Sequence, residues 1–142
     1  MRPIAGRALW IGHAGDLAHS KEALAVGIEA IVELADNEPP AVCPRELIRC
    51  MFPLSDGGDN PPWLLRLASE AVAALLRAGV PTLVCCSSGL SRSACVAAGG
   101  IALAKRRPLP EALALVTGSG PADVSPSLLV QLQNALQQSK RY

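Results

Sequence analysis

Between Val80 and Ala104 a strand, a short polar loop and a helix follow one another without a break, and this stretch constrains the fold more than any other. Val80, Pro81, Thr82, Leu83, Val84 and Cys85 form a short apolar, β-branched run that suits a buried strand. Ala94 to Ala104 is too long for a strand and rich in Ala and Leu, so it reads as a buried helix. Between them lie Cys86, Ser87, Ser88, Gly89, Leu90, Ser91, Arg92 and Ser93. A helix start leaves its first backbone N–H groups unpaired and carries the positive end of the dipole, so an anion is expected there. The small residues from Ser87 to Ser91 let successive N–H groups turn inward as a nest, and Arg92 adds a planar, two-pronged donor suited to phosphate or sulfate. The same positive field favours the thiolate of Cys86, the form that attacks. A nucleophile and an oxyanion cradle are thus built from eight consecutive residues.

The rest of the chain reads as scaffold. Its 142 residues suit one domain spanning 1–142. Ala8 to Ile11 is a short strand closed by Gly12, and Ser20 caps a helix over 21–26 that Gly27 stops. Strands follow over 28–34 and 46–53, separated by a proline-rich loop over 36–44. Residues 54–62 form a loop, in which Asn60 caps the next helix and Pro61 takes its first position, with Gly79 just beyond its end. The spacing of Trp63, Leu64, Leu67, Ala71, Ala74, Leu75 and Ala78 predicts the sheet-covering face of that helix. Further helices are expected over 110–116 and from Ser125 and Pro126 onward. Strands and helices alternate, which predicts an α/β fold: a mostly parallel central sheet of about four to five strands with helices on both faces.

Composition excludes several classes. A net charge of +1 and a pI near 7.6 give no electrostatic case for nucleic acid or an anionic membrane surface. No apolar run approaches the roughly 18 residues of a membrane span, and the start of the chain does not read as a signal peptide, so a reducing, cytoplasmic setting is expected. Five irregularly spaced cysteines argue against a disulfide framework and against paired zinc ligands. Cys95 reads as a buried small hydrophobe, and Cys43 and Cys50 as structural. Lys105, Arg106 and Arg107, ending in Pro108, read as a solvated helix end, with a phosphoprotein docking patch as the alternative. His13 and His19 read as surface residues.

Cys86, five residues, then Arg92 and Ser93 resembles the signature of the cysteine-dependent protein phosphatases, and "CSSGLSRS" is similar to the dual-specificity form H-C-x-x-G-x-x-R-S. "LPEALALV" and "SPSLLVQL" resemble that family's last two helices, so the likeness runs nearly the full length. The resemblance implies a hydrolase that cleaves phosphate monoesters through a phosphocysteine intermediate on Cys86, chosen over Cys85 by its spacing to Arg92. Asp56 and Asp59 are the two candidate acids; Pro53, Leu54, Ser55, Asp56 is similar to the family's P-x-x-D, which implies Asp56 as the general acid and Asp59 as a turn residue, with the acid role as the alternative for Asp59. Ser93 matches the hydroxyl that donates to the departing thiolate, and Ser87, Ser88, Gly89, Leu90, Ser91 and Arg92 match the phosphate-binding loop. That loop has no lysine, which favours a phosphorylated protein side chain, or a small phosphate ester, over a phosphoinositide. No metal or organic cofactor is implied. The departure is Cys85, which stands where the family has a His that orients the loop. Cys85 is read as an inert strand end, with a thiol that resolves oxidised Cys86 as the sharper alternative. Two other functional classes stay open: a phosphate-binding module of weak activity, and another thiol enzyme with an anion loop, such as a rhodanese-like sulfurtransferase or an arsenate reductase.

Overall fold

The computed structural model describes residues 1–4, 8–17, 20–36, 46–57, 59–87, 91–120 and 122–138. Five strands form one sheet: β1 (Arg2–Pro3), β2 (Leu9–His13), β3 (Ala30–Ala35), β4 (Ile48–Leu54) and β5 (Thr82–Cys86), in the order β1-β2-β5-β3-β4. β1 pairs antiparallel to β2 at one edge, and every other pairing is parallel. The expected mostly parallel α/β sheet is therefore present. β5, the strand that delivers Cys86, lies between β2 and β3, where ladders on both sides fix it.

Alternation along the strands divides the interior in two. Leu9, Ile11, Val32, Leu34, Leu54, Val84 and Cys86 face one core. That core is covered by α3 (Pro62–Arg77), α4 (Arg92–Lys105), α5 (Leu109–Thr117) and α6 (Pro126–Gln138). Ile31, Leu83 and Cys85 face the other, smaller core, where Ala23 of α2 (Ser20–Ala25) and Leu47 meet them. A single turn, α1 (Ala14–Leu17), precedes α2, and the sequence pattern had no signal for so short an element. Gly27, at φ +90°, ends α2 as expected.

β3 and β4 change register between Glu33↔Met51 and Ala35↔Leu54, which inserts one extra residue on β4. The insertion falls at Phe52–Pro53, where Pro53 has no N–H to give to a ladder. Loop 36–44 begins at Asp36 and otherwise lies outside the described residues, as do Cys43 and His19.

α4 is the central helix, buried from Arg92 through Ala102. Its crossing with α3 is close: a Cβ on Gly100 would sit 2.4 Å from Val72 Cγ1, and one on Gly99 would sit 2.5 Å from Ser69 Oγ. This crossing corrects the expected face of α3. The buried residues are Leu65, Ala68, Ser69, Val72 and Ala73, whereas Trp63 is 65% exposed and Leu67, Ala74 and Ala78 also face solvent. Arg66, Glu70 and Arg77 line one stripe of α3 that faces solvent, and the expected face took in Trp63, Leu67 and Ala74, which lie beside that stripe. Close packing on two glycines instead selects the side that carries small side chains.

Candidate active site

The four parallel strands end at the same edge of the sheet, the edge where open α/β sheets hold their ligands. Cys86 ends β5, His13 ends β2, Asp36 follows β3, and Ser55 and Asp56 follow β4. Residues far apart in sequence thus converge where β5 passes into α4.

Cys86 and Ser93 meet directly. Cys86 Sγ lies 2.9 Å from Ser93 Oγ, both buried, in a contact that either group can donate. Arg92, at the first position of α4, is only 5% exposed, and its side chain is held from three directions. Nη1 donates to the Leu54 carbonyl at 2.9 Å and to Asp36 Oδ1 at 3.2 Å, and Nη2 donates to Ser87 Oγ at 3.0 Å. A guanidinium so deeply buried needs an ionic partner to offset its lost hydration, and Asp36, itself 43% exposed, supplies one. Of the three partners, Ser87 is a neutral hydroxyl on the anion loop, and is the one an incoming phosphate oxygen would displace at least cost.

Ser91 joins two loops to the site. Its hydroxyl donates to Asp56 Oδ1 at 2.8 Å and accepts the Ser125 backbone N–H at 3.1 Å. Asp56 is therefore brought against the residue that caps α4, one position before Arg92. Asp59 is exposed in the left-handed region at φ 60°, in keeping with a turn residue. Ser88, Gly89 and Leu90 lie outside the described residues.

Asn60 departs from its expected role. α3 begins at Pro62 with Pro61 as its cap, and Asn60 instead closes the Asp56 loop on itself. Its Oδ1 accepts the Ser55 N–H and its Nδ2 donates to the Ser55 carbonyl, both at 2.8 Å, with Gln131 Oε1 3.2 Å from Nδ2. Asn60→Ala leaves both Ser55 backbone groups without these partners, which should cost about 1–3 kcal/mol of stability. It should also loosen Asp56, giving a fall in turnover of about tenfold without loss of oxyanion affinity. Thermal melts and steady-state kinetics check both, and an unchanged kcat would show that the staple does not position Asp56.

The two adjacent cysteines are both buried, on opposite sides of the sheet. Cys85 points into the smaller core, and burial first, then the nearby Asp16, Cys86 and Glu33 charges, push its thiol well above the ordinary range. Cys95 is pushed up to about 12, by burial and then by the charge of Asp56. Because Cys85 and Cys86 face opposite sides of the sheet, a bond between their sulfurs would require twisting the end of β5 out of its ladders. The inert reading of Cys85 fits this geometry and the resolving-thiol reading does not.

Sequence reasoning missed Asp36, which the structure pairs with Arg92. His13 is exposed, as expected, at the register position opposite Cys86 in the β2–β5 ladder. Its Nδ1 accepts the Gly15 N–H at 3.0 Å, and its Nε2 lies 3.8 Å from Asp16 Oδ1. Burial would raise the Asp16 carboxyl, but the His13 backbone N–H at 2.9 Å and the neighbouring amino terminus hold it below its ordinary value. The usable signal for Asp36 was position: it follows the carboxyl end of a parallel strand. Among the described residues no group of three or more His, Cys, Asp or Glu side chains is arranged to hold a metal ion.

Comparison with solved structures gives a consistent fold. Human DUSP28 superposes with a TM-score of 0.86 at 23% identity, covering 99% of each chain. A mouse putative dual specificity phosphatase, solved as a complex with zinc tungstate, gives 0.85 at 25% identity, covering 99% of this chain and 88% of that one. The chain has the dual-specificity phosphatase fold. The human tyrosine phosphatase-like serine/threonine/tyrosine-interacting protein shares this fold at a TM-score of 0.81 and 19% identity, over 99% of this chain and 97% of that one. Comparison with protein-family models and with curated proteins found no match.

Proposed function

We propose that this chain is a cysteine-dependent phosphatase that hydrolyses phosphate monoesters through a phosphocysteine intermediate on Cys86. The observation that carries the reading is the buried Cys86–Ser93 contact beside an Arg92 held at the start of α4. Arg92 and the N-terminus of α4 bind the phosphate oxygens. The Cys86 thiolate attacks phosphorus, the bond from phosphorus to the leaving oxygen breaks, and protonated Asp56 gives that oxygen its proton. Asp56, now a carboxylate, takes a proton from water as the water oxygen bonds to phosphorus. The sulfur–phosphorus bond then breaks, and Ser93 donates a hydrogen bond to the departing thiolate.

Phosphorylated protein side chains are the substrate class this reading favours, because the anion loop from Ser87 to Ser91 has no lysine to match a more highly charged ligand. Residues 1–142 act in it as a single catalytic domain. We place the chain in the cytoplasm, in keeping with the thiols of Cys50, Cys85 and Cys95; among the described residues no helix is long and apolar enough to cross a membrane.

Asp56→Asn tests the assignment of the acid. With phenyl phosphate, whose leaving oxygen needs a proton, kcat should fall by about 10²-fold or more. With para-nitrophenyl phosphate, whose leaving group departs readily as an anion, the fall should be smaller, and vanadate affinity should hold. Equal, small effects on both esters would remove Asp56 from the acid role.

A further inference from the structure

A groove of about 770 Å³ lies between the C-terminal end of α4, the start of α5 and the last turns of α6. It belongs to no part of the chemistry above. Arg92 opens α4 and Arg106 closes it, and fourteen residues at 1.5 Å each put the groove about 20 Å from the anion loop. Its apolar lining comes from Leu103, Leu109 and Leu136, which are half-buried, and its lip carries the exposed Arg106 and Arg107.

Charge gives the groove a sign. None of the ion pairs among the described residues engages Lys105, Arg106 or Arg107, whereas Arg49, Arg66 and Arg92 each pair with a carboxylate. Arg77, exposed at the end of α3, donates to the Leu103 carbonyl and adds a fourth cation at this end of the molecule. The C-terminal dipole of α4 contributes about half a negative charge and the exposed Glu111 one more, so the cations dominate.

Backbone conformation provides an independent observation. Arg106 occupies the left-handed region, φ 52° and ψ 47°, as the cap of α4, with the cap N–H on the Ala102 carbonyl. Glycine or asparagine usually fills such a cap, because a Cβ is strained there. This chain places a long cation in that position, and strain of this kind collects where a side chain is used.

We infer that this groove docks an acidic segment of a protein substrate, one whose leucine-like side chains fill the apolar lining while its carboxylates meet Lys105, Arg106 and Arg107. As a substrate-docking site it rests on the phosphatase reading; as an acidic-peptide site it stands on the charge and the strained cap alone. Spanning 20 Å takes at least six extended residues, so the docking segment and the phosphorylated residue lie at separate places in the partner's sequence. The solvated-helix-end reading of 105–107 omits the groove that only the fold creates.

Binding is read by fluorescence anisotropy of a labelled peptide of Leu-Glu-Glu repeats, with a Leu-Gln-Gln peptide as control. The acidic peptide should bind in a salt-dependent way and the control should not. Combining Lys105→Gln, Arg106→Gly and Arg107→Gln should weaken binding tenfold or more while aryl phosphate turnover is unchanged. Arg106→Gly alone should weaken binding while Tm holds or rises, a pairing that a purely structural arginine would not give. No binding by the native chain, or equal binding by the triple variant, overturns the inference. Because anisotropy needs no turnover, peptide binding without phosphatase activity would leave the groove standing and remove the catalytic reading, and the reverse result would separate them the other way.

Discussion

Cys86→Ser is expected to lower phosphate release from a small aryl phosphate by about 10⁴-fold or more, while Cys85→Ala leaves it nearly unchanged. The two residues are adjacent, so the contrast depends on the sheet. Cys86 lies in the core beneath α4, with Ser93 Oγ 2.9 Å from its sulfur. Cys85 lies on the other side of β5 among Ile31, Leu47 and Leu83, and its burial holds it as the neutral thiol. A serine at 86 keeps the hydrogen bond and the shape but offers a hydroxyl that stays protonated, so vanadate or phosphate binding should survive. Equal losses at both positions would mean that the strand, rather than the nucleophile, had been damaged.

Arg92→Lys should lower kcat by about 10³-fold and abolish vanadate binding. Arg92 reaches Leu54, Asp36 and Ser87 with one rigid fork, and these anchors come from the ends of β4, β3 and β5. A lysine ammonium is a single point that cannot satisfy three directions and still present two donors to a phosphoryl group. Its strong hydration also makes it a poor tenant of a site only 5% exposed. Asp36 would then keep an exposed carboxylate near the phosphate, adding repulsion. Measurement of kcat and vanadate affinity, with a melt to confirm folding, checks the expectation. Retention of tight vanadate binding would show that the anion loop alone carries the oxyanion.

Much of this arrangement was legible in the sequence because it is local. The strand and helix on either side of the anion loop and the helix stops at Gly27 and Gly79 follow from neighbouring residues, and the structure places β5, α4 and α3 within a residue or two of expectation. What was not legible depends on contacts between distant segments. Asn60 reads as a helix cap until the fold brings Ser55 and Gln131 to it. Asp36 reads as a loop residue until β3 lies beside β5. The wrong face assigned to α3 has another origin: Arg66, Glu70 and Arg77 mark its solvent side within the helix itself, opposite the residues that pack on Gly99 and Gly100.

The central claim is that phosphate passes through the sulfur of Cys86. Ser93→Ala should slow breakdown of that intermediate more than its formation, because the Ser93 hydroxyl lies 2.9 Å from the sulfur that must leave. Acid quench of this variant during turnover of an aryl phosphate, followed by mass spectrometry, should then find one phosphoryl group on the peptide carrying Cys86 and none when Cys86 is also serine. Full turnover with no adduct, or an adduct on another residue, would contradict the account.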